Sequence, residues 1–119
     1  MKTQHLLELN GALVITSKKE GLGRKVAYNI AKNLVTLGPT VERLRKKFLE
    51  DVEAAKGGRE VTKEEDIAIQ QDLWAKGLDA EVAVEGLRKL EAGGVPWEKL
   101  DPEATQILLR SDLVEGEIA

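Results

Sequence analysis

The sequence predicts a mainly α fold: a small helical domain built on a long, kinked central helix, with one short β segment near residues 81–85. Three observations lead there. One apolar stripe repeats at helical spacing through Val26, Ile30, Leu34, Leu37, Val41, Leu44, Phe48 and Val52. Two strong helix starts follow it, at Thr62 and at Asp101. The side chains available for a core are almost wholly aliphatic, since aromatics make up only 3% of the 119 residues.

The first element runs from Thr3 to about Lys19. Leu6, Leu9 and Leu13 recur at helical intervals, with Leu7 and Val14 beside them. Gly11 and the β-branched run Val14-Ile15-Thr16 weaken a helix there, yet the spacing favours one. Ser17 to Gly23 reads as the connecting turn. The long stripe then occupies about seven turns, and Arg43, Arg45, Lys46 and Lys47 mostly lie away from it. Gly38-Pro39 interrupts its middle. Proline lacks the N–H and crowds the preceding turn, so a kink or short break is expected. Because the phase survives, residues 24–55 form one bent helix or two nearly collinear ones.

Lys56-Gly57-Gly58-Arg59 is the clearest break, dividing an N-terminal helical hairpin (1–56) from a smaller helical region (57–119). A third helix starts at the Thr62–Glu65 capping box, runs from Lys63 to Lys76 and ends at Gly77. Residues 81–90 have two readings. Glu81-Val82-Ala83-Val84-Glu85 alternates like a half-exposed strand, whereas Asp79 can cap a helix carrying Val82, Leu87 and Leu90. Asp101-Pro102-Glu103 opens the last helix, which extends to about Leu113, and Glu115 to Ala119 are expected to fray.

Composition excludes several chemistries. Without cysteine there is no disulfide, thiolate ligand or thiol nucleophile. His5 is the only imidazole and is expected to be a solvated terminal side chain. The acidic cluster Glu64-Glu65-Asp66 occupies a helix's first turn, where negative charge is stabilising without any catalytic role. Gly21-Leu22-Gly23-Arg24-Lys25 lacks the spacing of a phosphate-binding loop. Charge is nearly balanced at a net of −3, which gives no general attraction to nucleic acid. Apolar runs such as Ala12 to Ile15 are too short to cross a bilayer, and no leader peptide is evident. The expectation is a cytoplasmic, non-enzymatic protein with no cofactor and no metal.

What remains is recognition. Trp97, beside Pro96 in an expected loop, and Trp74 are the candidate anchors for a protein partner. The stripe is longer than the shorter helices can cover, which leaves room for a homodimer. Arg43, Lys46 and Lys47 are the candidate contacts for the competing reading, a nucleic-acid-binding regulator. Glu42, Glu50 and Asp51 beside them, and the lack of interleaved aromatics, weigh against it.

The segments Leu6-Leu7-Glu8-Leu9-Asn10-Gly11-Ala12-Leu13 and Lys25-Val26-Ala27-Tyr28-Asn29-Ile30-Ala31-Lys32-Asn33-Leu34 carry a resemblance, together with Glu81-Val82-Ala83-Val84-Glu85 and Leu100-Asp101-Pro102-Glu103. In this layout the chain resembles small helical proteins of unknown function encoded by tailed bacteriophages, departing from them at Gly38-Pro39 and at the longer Gly93-Gly94 loop. The resemblance implies a phage protein acting in the host cytoplasm, as an assembly accessory or a modulator of a host complex. It tips residues 81–85 toward a strand and transfers no catalytic residue.

Overall fold

In the computed structural model, which describes residues 1–116, four helices account for most of the chain. They are α1 (Thr3–Ser17), α2 (Arg24–Lys56), α3 (Lys63–Leu78) and α4 (Pro102–Arg110). Two short strands, β1 (Leu90–Glu91) and β2 (Val114–Glu115), pair in parallel, and a 3-10 turn spans Trp97–Lys99. Parallel strands need a long crossover, and α4 supplies it. The fold is mainly α, with a long central helix and one short strand pair.

α2 is uninterrupted across its 33 residues, so Gly38-Pro39 makes no break. The carbonyl that Pro39 leaves without its helical donor belongs to Val35, which is 72% exposed, so water can satisfy it. A helix of that length spans about 50 Å, close to the longest dimension of the molecule, 55 Å. It ends where Gly57 adopts a left-handed conformation (φ 63°), its N–H reaching Glu53 and Ala54 carbonyls.

The core gathers on the first half of α2. Leu6, Leu9 and Leu13 of α1 meet Val26, Ile30 and Leu37 of α2, and are closed over by Leu90, Trp97, Leu100, Leu108 and Leu113. Both sides of the Gly57-Gly58 turn therefore feed one core. α4 packs mainly on α1, with Asp101 Oδ2 accepting from the Ala104 N–H at 2.9 Å to cap its start.

Beyond Leu44, α2 leaves this core and pairs with α3 as an antiparallel two-helix arm. Thr62 Oγ1 accepts from the Glu65 N–H at 3.1 Å at the start of α3. Two contacts fix the alignment: Lys56 Nζ to Asp66 Oδ1 at 2.7 Å near the tip, and Phe48 edge-on to Trp74 at 5.2 Å further in. No residue of α3 is fully buried.

Several sequence expectations need correcting. Residues 82–89 form neither a strand nor a helix; Glu81 makes only an isolated bridge with Lys2, and the regular strand begins at Leu90. The segment is an irregular strap, held at its start by the Val82 N–H donating to the Met1 carbonyl at 2.8 Å and at its end by side chains. Asn33 Oδ1 accepts from the Arg88 N–H at 2.6 Å while Asn33 Nδ2 donates to the Arg88 carbonyl at 2.9 Å, and Asn29 Nδ2 donates to the Lys89 carbonyl at 3.3 Å. These amides do for the strap what a neighbouring strand would do, because buried backbone polar groups need partners. α3 continues through Gly77 to Leu78, whose side chain finds apolar cover against α2. α4 stops at Arg110, where Ser111 Oγ turns back to the Ile107 carbonyl at 2.7 Å. Glu115 is paired in β2 and is not frayed, while residues 117–119 lie outside the described residues.

Candidate functional site: an apolar groove on the α2–α3 arm

Where the arm leaves the core, α1, α2 and α3 fail to close on one another. Leu44 and Phe48 line one wall, Leu73, Trp74 and Leu78 the other, and Leu7 the inner end, around an open groove of about 200 Å³. Its lining is apolar, with Arg45, Lys47 and Asp51 at the rim. The gap follows from the lengths involved. α2 continues its stripe past Leu44, while α1, whose first turns carry Thr3 and Leu7 at the groove, reaches no further along it, and α3 offers only Ile69, Leu73 and Leu78 at partial burial. Trp74 stands at this edge, 46% exposed, with its ring held against Phe48. A large, amphipathic ring fixed in place beside an apolar groove is the usual chemistry of an interface anchor.

The other candidates are placed differently. Trp97, expected in a surface loop, is buried at 3% exposure, and its indole N–H donates to the Ala92 carbonyl at 2.9 Å. It fills the core under the β1–α4 connection, where the aliphatic side chains leave a gap, and cannot meet a partner without unfolding. Arg43, Lys46 and Lys47 are exposed and, spaced at i, i+3 and i+4, share one face of α2, where their charge is partly engaged by neighbours on the same helix. Arg43 donates to Thr40 Oγ1 at 3.3 Å, Lys47 pairs with Asp51 at 3.4 Å, and neighbouring Arg45 pairs with Glu42 at 3.4 Å.

His5 is half-buried, with Nε2 2.8 Å from Ser111 Oγ, so it ties α1 to the end of α4 and is not solvated as expected. The Gly21–Lys25 loop is likewise absorbed by packing. Gly21 lies against Pro96, and Lys25 Nζ reaches Glu91 Oε1 at 2.5 Å, which holds the ammonium above its ordinary pKa. Among the described residues, no group of His, Asp and Glu is arranged to hold a metal ion, and no helix is long and apolar enough to cross a membrane.

Electrostatics mark the arm's tip. The Lys56 ammonium, 2.7 Å from Oδ1, holds the Asp66 carboxyl below its usual range, with a hydrogen bond from Gln70 Nε2 at 3.0 Å adding to it. The same contact raises Lys56. The tip is therefore pinned by an ion pair while the middle is open and apolar. Sequence reasoning singled out Trp74 but missed Leu44, Phe48 and Leu78 as groove walls, and it missed Asn29 and Asn33 altogether. The two asparagines were signalled by their positions, since they interrupt the buried face of α2 between Val26, Ile30 and Leu37. The chain matches no protein-family model, no curated protein and no solved structure.

Proposed function

We propose that this chain is a non-enzymatic binding protein whose working surface is the α2–α3 arm, with Trp74 as its anchor. The observation that carries the reading is the apolar groove beside a half-exposed, pre-positioned Trp74, on a helix of which no residue is fully buried. A helix that owes so little to its own core retains apolar surface for something else. The resemblance of its sequence layout to small phage proteins is the ground for reading that role as an assembly accessory or a modulator of a host complex in the cytoplasm.

The nucleic-acid reading gains nothing from the geometry, because Lys47 and Arg45 are already matched by acids on the same helix. The test is a photo-crosslinking residue in place of Arg45 at the groove rim, irradiated in extract of the cells in which the protein acts. One dominant protein adduct that disappears in the Trp74→Ala background is expected, a second copy of the chain included. Adducts scattered over many proteins, or unaffected by Trp74→Ala, overturn the proposal.

A further inference from the structure

We infer that the outer face of α2, turned away from the core and from the groove, is a docking surface for an acidic peptide segment of a partner protein. The inference stands apart from the reading of the arm, because it uses the opposite side of the helix.

Spacing and exposure define the face. Each residue turns a helix by about 100°, so Arg24, Lys32, Arg43 and Lys46 fall within one arc of about 100°, opposite the buried stripe of α2. All four are exposed. Tyr28, Val35 and Pro39 stand between them on the same arc, Tyr28 at 52% and Val35 at 72% exposure.

Two observations set this face apart from a solvated helix surface. The first is that its charge is uncompensated. From residue 21 to residue 41 there is no acid, in a chain with 21 acids among 119 residues. Lys25 is taken by Glu91, and Glu42, the acid that does share the arc, is engaged by Arg45 at 3.4 Å. Among the described residues no carboxylate pairs with Arg24, Lys32, Arg43 or Lys46, and Arg43 meets only the neutral hydroxyl of Thr40.

The second is that two cations are held in place at the middle of this charge. Lys32 Nζ and the Arg88 guanidinium each stand 5.5 Å from the centre of the Tyr28 ring. Arg88 arrives from the strap, where Asn33 fixes its backbone by two hydrogen bonds. It too lacks an acid partner among the described residues. A long cationic side chain loses rotamer freedom when it takes a carboxylate, and contact with the ring has removed part of that freedom beforehand.

The shape of the patch selects the occupant. From Arg24 to Lys46 the line is about 33 Å long and only one helix face wide. The rest of the surface carries the acids of a chain whose net charge is −3. A flat anionic membrane brings those acids against lipid as well, whereas a narrow chain meets the cations alone. Val35 and Pro39 offer nothing to a phosphate backbone but pack against aliphatic side chains. Carboxylates interspersed with apolar side chains, on an extended segment of about ten residues, match both the charge and the apolar positions.

The test uses the full chain and a fluorescent peptide of about ten residues that alternates glutamate with leucine. Anisotropy is expected to show binding that weakens as salt rises. Lys32→Glu combined with Arg88→Glu should weaken it at least about tenfold, and Arg24→Glu, which leaves the strap untouched, about threefold. Lys18→Glu combined with Lys19→Glu makes the same change in net charge on the exposed α1–α2 turn. That control, and Trp74→Ala, should stay within about twofold of the parent. All these side chains are exposed or half-exposed, and urea midpoints near the parent's verify that the variants are folded. Absence of peptide binding overturns the inference, as do equal losses in the two double variants. Tighter binding of oligothymidylate or of anionic lipid vesicles than of the peptide overturns it as well, and assigns the face to that other polyanion.

Discussion

Replacing Asn33 with alanine tests the strap that closes the molecule. Asn33 is fully buried and makes two hydrogen bonds to the backbone of Arg88, at 2.6 and 2.9 Å, across 55 residues of sequence. A typical intramolecular hydrogen bond contributes about 0.5–1.5 kcal/mol net, and a buried partner left unsatisfied costs about 1–3 kcal/mol. The Arg88 side chain is exposed, so water can recover part of what its backbone loses. The expected destabilisation by Asn33→Ala is therefore about 2–3 kcal/mol, a large share of the 5–15 kcal/mol typical of whole domains. Urea unfolding should show it as a lower midpoint with little change in slope. Hydrogen exchange adds a local readout, since the Arg88 amide should lose protection beyond the global change. A midpoint within about 0.5 kcal/mol of the parent, with the Arg88 amide still protected, refutes the idea that this amide acts as the strap's missing strand.

Other perturbations separate the core from the arm. Trp97→Phe removes part of the ring and the bond to the buried Ala92 carbonyl, so about 1–3 kcal/mol is expected, whereas Trp97→Ala should cost about 3–5 kcal/mol in thermal or urea unfolding. Trp74→Ala should cost only about 1 kcal/mol through its edge contact with Phe48, while abolishing the photo-crosslinked adduct. Pro39→Ala should stabilise α2 by about 1–3 kcal/mol, because it restores a donor for the Val35 carbonyl; a loss of stability contradicts this account of α2. The Lys56–Asp66 pair predicts acid sensitivity at the tip. Asp66 titrates lower in the folded chain than when unfolded, so its contribution is complete above the unfolded value near 4 and fades as pH falls through the depressed folded value. Exchange at the start of α3 should therefore accelerate in acid before the core opens, and should do so less in Asp66→Asn.

Much of the fold was legible because its signals are local. The stripe of α2, the Thr62 and Asp101 caps and the glycine stop at Gly57 each depend on neighbours within a turn or two. The failures share a cause in distant partners. Residues 82–89 carry a strand's alternation, but their hydrogen bonds go to distant partners, Met1 for Val82 and Asn29 and Asn33 for Lys89 and Arg88, so no nearby residue could decide between strand and helix. The pairing of Leu90 with Val114 needed α4 to carry the chain back. Trp97 looked exposed because Pro96 precedes it, and its burial depends on the Ala92 carbonyl and on the core cluster that the chain closes around it. The groove was half legible: the excess length of the stripe was readable, but which residues border the opening depends on where the first turns of α1 settle against α2 and α3. His5 misled for the same reason, since Ser111 joins it from the far end of the chain.

The two tryptophans have a practical consequence. One indole is sealed inside with its N–H satisfied, and the other stands at the edge of the arm against Phe48, so one emission spectrum holds two independent signals. A soluble quencher will reach the outer ring first, which isolates blue-shifted light from the inner one. Occupation of the arm should then shield the outer ring and shrink the quencher-accessible fraction, while unfolding exposes both rings, so binding and melting can be read in a single cuvette without a label.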